Sequence, residues 1–148
     1  MKIHVIACLL VVGLVPGCSL QPYRPGSLEK NLTINLDLHS GGVLTRTSAA
    51  AGINNVGKGC SNDYKGYVDL AQGPNETALA VGQRTLVIVE ITNRSVGSHT
   101  GMQRGVVLTP KPGVHYEIDA NYGDGMFDLR LYELTRAGKR PLPVGSEC

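Results

Sequence analysis

The sequence has no tryptophan and only one phenylalanine among its 148 residues. Its core must therefore be built from Val, Leu and Ile together with the six tyrosines. Net charge is also scarce, since fourteen Lys and Arg against twelve Asp and Glu leave +2. So small an excess argues against a nucleic-acid partner held by phosphate neutralisation. No apolar stretch approaches the roughly 20 residues that a membrane-crossing helix needs. After residue 18, no run of ten or more residues keeps a 3.6-residue apolar period, which excludes a helical bundle. Four cysteines and four histidines show no Cys-x-x-Cys or His-Glu-x-x-His spacing, and neither a Ser-His-Asp order nor a pair of catalytic carboxylates can be named. The expectation is a protein that is not an enzyme, with no catalytic residue, no metal and no cofactor.

Glycine is plentiful, at nineteen residues with eight prolines, and it lacks a collagen period. Between these turn residues the apolar period is two. Leu32, Ile34, Leu36 and Leu38 alternate with polar residues, as in a half-buried strand. Thr85 to Ile91 is the most β-branched run and reads as a central strand. Tyr67 to Leu70 and Val106 to Leu108 are shorter candidates. Tyr116, Ile118, Ala120 and Tyr122 form one face, Phe127, Leu129 and Leu131 the next, and Gly123-Asp124-Gly125 between them is a hairpin turn. The segment 43–59 reads as a loop with one helical turn over Ser48 to Ala51. Six to eight short strands predict an all-β, antiparallel β-sandwich of immunoglobulin or transthyretin type, with a small β-barrel as the alternative.

The amino terminus carries a different signal. Lys2 precedes an uninterrupted apolar run from Val5 to Val15, closed by Pro16-Gly17-Cys18, the pattern of an export signal. Leu14-Val15-Pro16-Gly17-Cys18 resembles the lipobox of bacterial lipoproteins, with Val15, Gly17 and Cys18 in register and Pro16 where a small residue is usual. The resemblance covers residues 1–18. It implies removal of a signal peptide at 1–17 and lipidation of Cys18, with the domain held at a membrane by acyl chains. Two such chains already give stable anchoring. Ser19 stands where an aspartate would mark inner-membrane retention in Gram-negative lipoproteins, so the resemblance implies a cell outer membrane location facing the periplasm. An ordinary secretory signal cut near Gly17 is the competing reading.

On that reading Cys8 leaves with the signal and Cys18 carries lipid. Cys60 and Cys148 then remain as an even pair in an oxidising compartment, for which a disulfide is the default. Its loop of nearly 90 residues would be worth at most about 4–5 kcal/mol in chain entropy. A catalytic Cys60 with a histidine partner is the alternative. Residues 18–30, rich in polar residues and with Pro22 and Pro25, read as a flexible tether. Twelve extended residues reach about 40 Å. Residues 31–148 then form a single domain.

Several patterns tempt a stronger assignment. Gly52 to Gly59 nearly matches a phosphate-binding loop but ends in Gly59 where the hydroxyl that ligates Mg²⁺ belongs, so it reads as a Gly-rich loop. Asp119 to Gly125 begins like a calcium loop, with Gly123 at a ligand position, and reads as a hairpin tip. Asn31, Asn75 and Asn93 head Asn-x-Ser/Thr triplets, which carry no meaning in a bacterial lipoprotein. Arg136, Lys139 and Arg140 read as a solvated turn. The segment 97–105 reads as a polar loop whose His99, Met102 and Arg104 are candidate binding residues. The expected partners are a membrane, through the lipid, and an envelope protein. The alternative is a binder of a soluble factor, of the lysozyme-inhibitor kind, or of a small ligand, through 97–105 or 43–59.

Overall fold

The computed structural model describes residues 20–39 and 45–145. The proposed signal at 1–17, the lipidation residue Cys18 and the disulfide partner Cys148 lie outside the described residues.

Nine strands are present among the described residues: β1 (Leu32–Leu38), β2 (Arg46–Val56), β3 (Asn62–Leu70), β4 (Gly73–Thr77), β5 (Thr85–Ser95), β6 (Ser98–Leu108), β7 (His115–Gly123), β8 (Met126–Thr135) and β9 (Gly138–Leu142). They form an all-β sandwich of two open sheets, one ordered β4-β1-β7-β8-β9 and the other β3-β2-β5-β6. The barrel alternative is not realised, because neither sheet closes on itself.

Alternation explains which side chains meet. Leu32, Ile34 and Leu36 of β1 join Ile118 and Ala120 of β7 and Leu129 and Leu131 of β8 on one inner face. Val87, Val89 and Ile91 of β5 supply the other inner face with Ala51 and Ile53 of β2 and Val106 of β6. At one end Asn93 donates to the Tyr122 hydroxyl at 2.5 Å and accepts from the Thr47 hydroxyl at 2.7 Å, tying the two sheets together. At β7–β8 the turn residues Asp124 and Gly125 have φ of 50° and 74°, the two positive values that a type I′ hairpin requires.

The structure corrects several expectations. The segment 43–59 is no loop from Arg46 onward: Arg46–Val56 is an interior strand paired with both β3 and β5. Ser48 to Ala51 is extended rather than helical, with Ala49 and Ala51 pointing inward and buried between the sheets. Tertiary pairing overrides alanine's helical preference here. The phosphate-loop likeness dissolves with it, since Gly52 to Val56 lie in β2 and no α-helix follows among the described residues.

The polar segment 97–105 is likewise mostly strand, residues 98–105 belonging to β6. Lys139 and Arg140 belong to β9. One ladder is parallel, β1 against β7 from Leu32↔Tyr116 to Leu38↔Tyr122, while every other pair of these strands is antiparallel.

The tether is also partly docked. Tyr67 donates its N–H to the Gln21 carbonyl at 2.9 Å, and Tyr23 donates to the Tyr67 carbonyl at 2.7 Å. The Tyr23 hydroxyl donates to the Ala78 carbonyl at 2.8 Å.

Ile118 is fully buried where the inner faces meet. Ile118→Ala removes three carbons and leaves a cavity, which costs about 2–5 kcal/mol. Urea denaturation of the two proteins should show that loss with an unchanged slope.

Candidate functional site

A sheet edge presents unpaired backbone N–H and C=O groups, and proteins blunt such edges with short strands, prolines, charges, bulges or covering segments. Three of the four edges of this sandwich carry these devices. The edge strand β4 has five residues and contains Pro74. The edge strand β9 also has five residues and carries Lys139, Arg140 and Pro141. On β3 the pairing with β2 skips Lys65, a bulge between Tyr64↔Asn54 and Gly66↔Ile53, and residues 21–23 lie alongside.

The fourth edge, β6, carries one formal charge, Arg104, and none of the other devices. It runs eleven residues without proline or bulge, pairs in continuous register with β5, and is mostly exposed from Ser98 to Arg104. No other strand among the described residues pairs with it. The β5–β6 turn has two residues, Val96 and Gly97, so the flanking pair Ser95↔Ser98 exchanges both hydrogen bonds. By alternation, Gly101 and Gln103 direct their N–H and C=O groups outward, away from β5.

The candidate binding residues all lie on this strand, but they do not converge. Met102 shares the inward parity of Val106 and Leu108 and packs partly against the core, and Arg104 has the same parity. His99 has the opposite parity and is exposed beside Arg94. Met102 and Arg104 line a groove between β6 and the start of β8, completed by Met126, Phe127, Asp128 and Arg130. Met126 is 72% exposed, and Arg130 is neutralised by Asp128 at 2.8 Å. Arg104 has no carboxylate partner among the described residues. The groove thus joins a flexible apolar floor to one unpaired cation, at the lip of an open edge. Sequence reasoning missed Met126 and Arg130, which follow the hairpin turn and approach β6 only through the packing of the sheets.

Cys60 belongs to a 3₁₀ turn, Lys58–Cys60, and has φ of 68°. It borders a second shallow depression on the outer face of the four-stranded sheet, with Leu86, Ile88, Gly105 and Val107. A Cβ at Gly105 would crowd the end of the Leu86 side chain at 3.0 Å.

The acidic residues of β7 form a third constellation, on the outer face of the five-stranded sheet. Asn35 donates to Glu117 at 2.5 Å and to Asp119 at 3.0 Å. Lys139 donates to Glu117 and lies 3.7 Å from Asp119. Asp119 therefore answers to protein donors, and the calcium-loop likeness reduces to a hairpin. Arg140 meets Glu133 at 2.8 Å, so Lys139 and Arg140 are ion-paired strand residues, whereas Arg136 sits exposed in the turn between β8 and β9 as expected. All three asparagines of the Asn-x-Ser/Thr triplets are engaged as well: Asn31 exchanges bonds with Leu79, Asn75 holds Ile34, Ala71 and Gly73 carbonyls, and Asn93 bridges the sheets.

The Glu117 acceptor, then burial acting against it, then the Asp119 charge set the Lys139 ammonium, with a net rise above the ordinary 10.5. A group whose pKa is raised by folding stabilises fully below its unfolded value, and that contribution is lost as pH rises through the folded value. Thermal melts of wild type and Lys139→Met should therefore differ by a constant amount near neutrality and converge at pH above 10.5.

No protein-family model, curated protein or solved structure matches this chain.

Proposed function

We propose that this chain is a bacterial envelope lipoprotein, acylated on Cys18 and anchored in the outer membrane, whose sandwich binds another envelope protein without catalysing a reaction. The lipobox-like Leu14 to Cys18 supports the anchor. The observation that carries the binding role is the open edge of β6, which is long, free of proline and bulge, and uncovered by any described strand, where the other three edges are short, bulged or covered. An extended segment of the partner would add to that edge as a further antiparallel strand. Backbone hydrogen bonds supply affinity in such additions, and side-chain pockets supply specificity. Here the groove of Met102, Met126 and Phe127 would take an apolar side chain, and Arg104 a carboxylate beside it.

The groove also favours a second reading, a binder of a soluble factor, in which the Arg104 cation and the two methionines hold a protruding acidic loop or a small anionic ligand. Methionine-lined surfaces adapt to varied shapes. On either reading, a Cys60–Cys148 disulfide would hold the C-terminus beside the outer depression and close a long loop.

Photo-crosslinking from position 103 in intact cells should capture an envelope protein. Gly101→Pro deletes one outward N–H while leaving the β5–β6 hydrogen bonds in place, so it should lower that capture severalfold with the fold retained. Capture that is insensitive to Gly101→Pro refutes strand addition, and capture of added lysozyme alone favours the second reading.

Mass spectrometry under non-reducing conditions should find an acylated peptide beginning at Cys18 and a peptide pair joined through Cys60 and Cys148. An alkylatable Cys60 would refute the bridge, and an unmodified Cys18 would refute the anchor.

A further inference from the structure

The docked leading segment changes what the lipid anchor can do. Residues 21–23 are fixed on β3 by two backbone hydrogen bonds, and the Tyr23 hydroxyl, whose pKa burial raises, donates to the Ala78 carbonyl just after β4. Gly66 makes this approach possible. Its φ is 135°, and a Cβ there would lie 2.6 Å from the backbone nitrogen and Cα of Tyr23. Any side chain at 66 would expel the segment, so the glycine and the bulge beside it form a seat for the incoming chain.

We infer that the β3–β4 side of the sandwich is a membrane-contact surface, held against the lipid bilayer in which Cys18 is anchored. The inference rests on the lipidation of Cys18 proposed above. Only three residue steps separate Cys18 from Gln21, the first docked residue, and they span at most about 11 Å. A tether free to Lys30 would have allowed about 40 Å. The domain therefore lies on the bilayer instead of standing away from it. The surface around the seat suits that position. Leu20 is 74% exposed and Leu28 43%, and the exposed Arg24 lies between them in sequence. Leu28 shares a cleft with Pro22, Tyr23 and Pro25 against β3, whose charged rim holds Asp69 and the Lys30–Glu76 ion pair. Exposed leucines beside Arg24 are side chains that interfacial anchoring favours.

The geometry also orients the binding edge. In the four-stranded sheet β3 and β6 are opposite edges, three strand spacings or about 14 Å apart. Laying β3 toward lipid turns β6 toward the aqueous compartment.

Because the chain has no tryptophan, Leu28→Trp provides a single energy donor. The full-length lipidated protein would be reconstituted in phosphatidylethanolamine–phosphatidylglycerol vesicles carrying a dansyl-headgroup lipid. Transfer from the introduced indole to the headgroups should be strong. Inserting a Gly/Ser linker longer than the leading segment between Leu20 and Gln21 leaves the seat intact and should reduce transfer severalfold. Weak transfer at the start, or transfer unchanged by the linker, overturns the inference. Palmitate incorporation measured on the same preparations separates the two levels: absence of label overturns the lipoprotein reading itself, whereas label with linker-insensitive transfer overturns only the membrane contact.

Discussion

Mutual burial of two aliphatic faces is the constraint on which the rest of this molecule depends. Leu32, Ile34, Val87, Val89, Val106 and Ile118 have no exposed surface, and each lies on a strand whose other face is polar or half-exposed. Neither sheet could keep these residues from water alone. At about 25 cal/mol per Å² of apolar surface, the burial is what holds two otherwise independent sheets face to face. The scarcity of aromatics sharpens the requirement. Without Trp and with one Phe, only Tyr116, Tyr122 and Phe127 bring large rings into the core, so the aliphatic rows must fill most of it, together with the small side chains of Ala49, Ala51 and Ala120.

Polar satisfaction then decides how the ends and edges are finished. Asn31 accepts from the Leu79 N–H at 2.8 Å, donates to the Leu79 carbonyl at 2.9 Å, and gives its own carbonyl to Tyr116 at 2.8 Å. One residue thus fixes where β1 begins between its two neighbours. No buried side-chain nitrogen or oxygen among the described residues lacks a partner. Against that background the outward backbone groups of β6 stand out, because no strand among the described residues serves them.

How much of this is legible in the sequence follows from where each signal resides. Leu32 to Leu38 and Tyr116 to Leu131 announce themselves because large apolar residues recur every second position, and the positive-φ turn between β7 and β8 is written as Gly-Asp-Gly. β2 is hidden because two of its inward residues, Ala49 and Ala51, are too small to mark an apolar face, Ile53 alone is large there, and its pairing with β5 is a long-range fact. β6 is hidden for the opposite reason: an edge strand exposed along most of its length has no buried row to reveal. Its candidate residues are legible, but their separation onto two faces needs the register of Arg94↔His99 and Ile91↔Met102. The docked segment 21–23 is invisible locally, since backbone atoms make two of its three bonds and the signal sits at Gly66, far along the chain. Lys139 and Arg140 read as solvated only because Glu117 and Glu133 are distant in sequence.

The parallel ladder between β1 and β7 has a kinetic consequence. Thr33 and His115, joined at 2.8 Å across that ladder, stand 82 residues apart in the chain. Until β7 has been made, β1 lacks its neighbour on one side and can pair only with the five residues of β4. Non-local pairing of this kind places a domain among the slower folders, on a millisecond-to-second scale. The first half of the chain cannot complete the sheet it belongs to while the second half is still being synthesised. For the exported lipoprotein proposed above, that delay would leave time to cross a membrane unfolded, because the topology itself postpones closure.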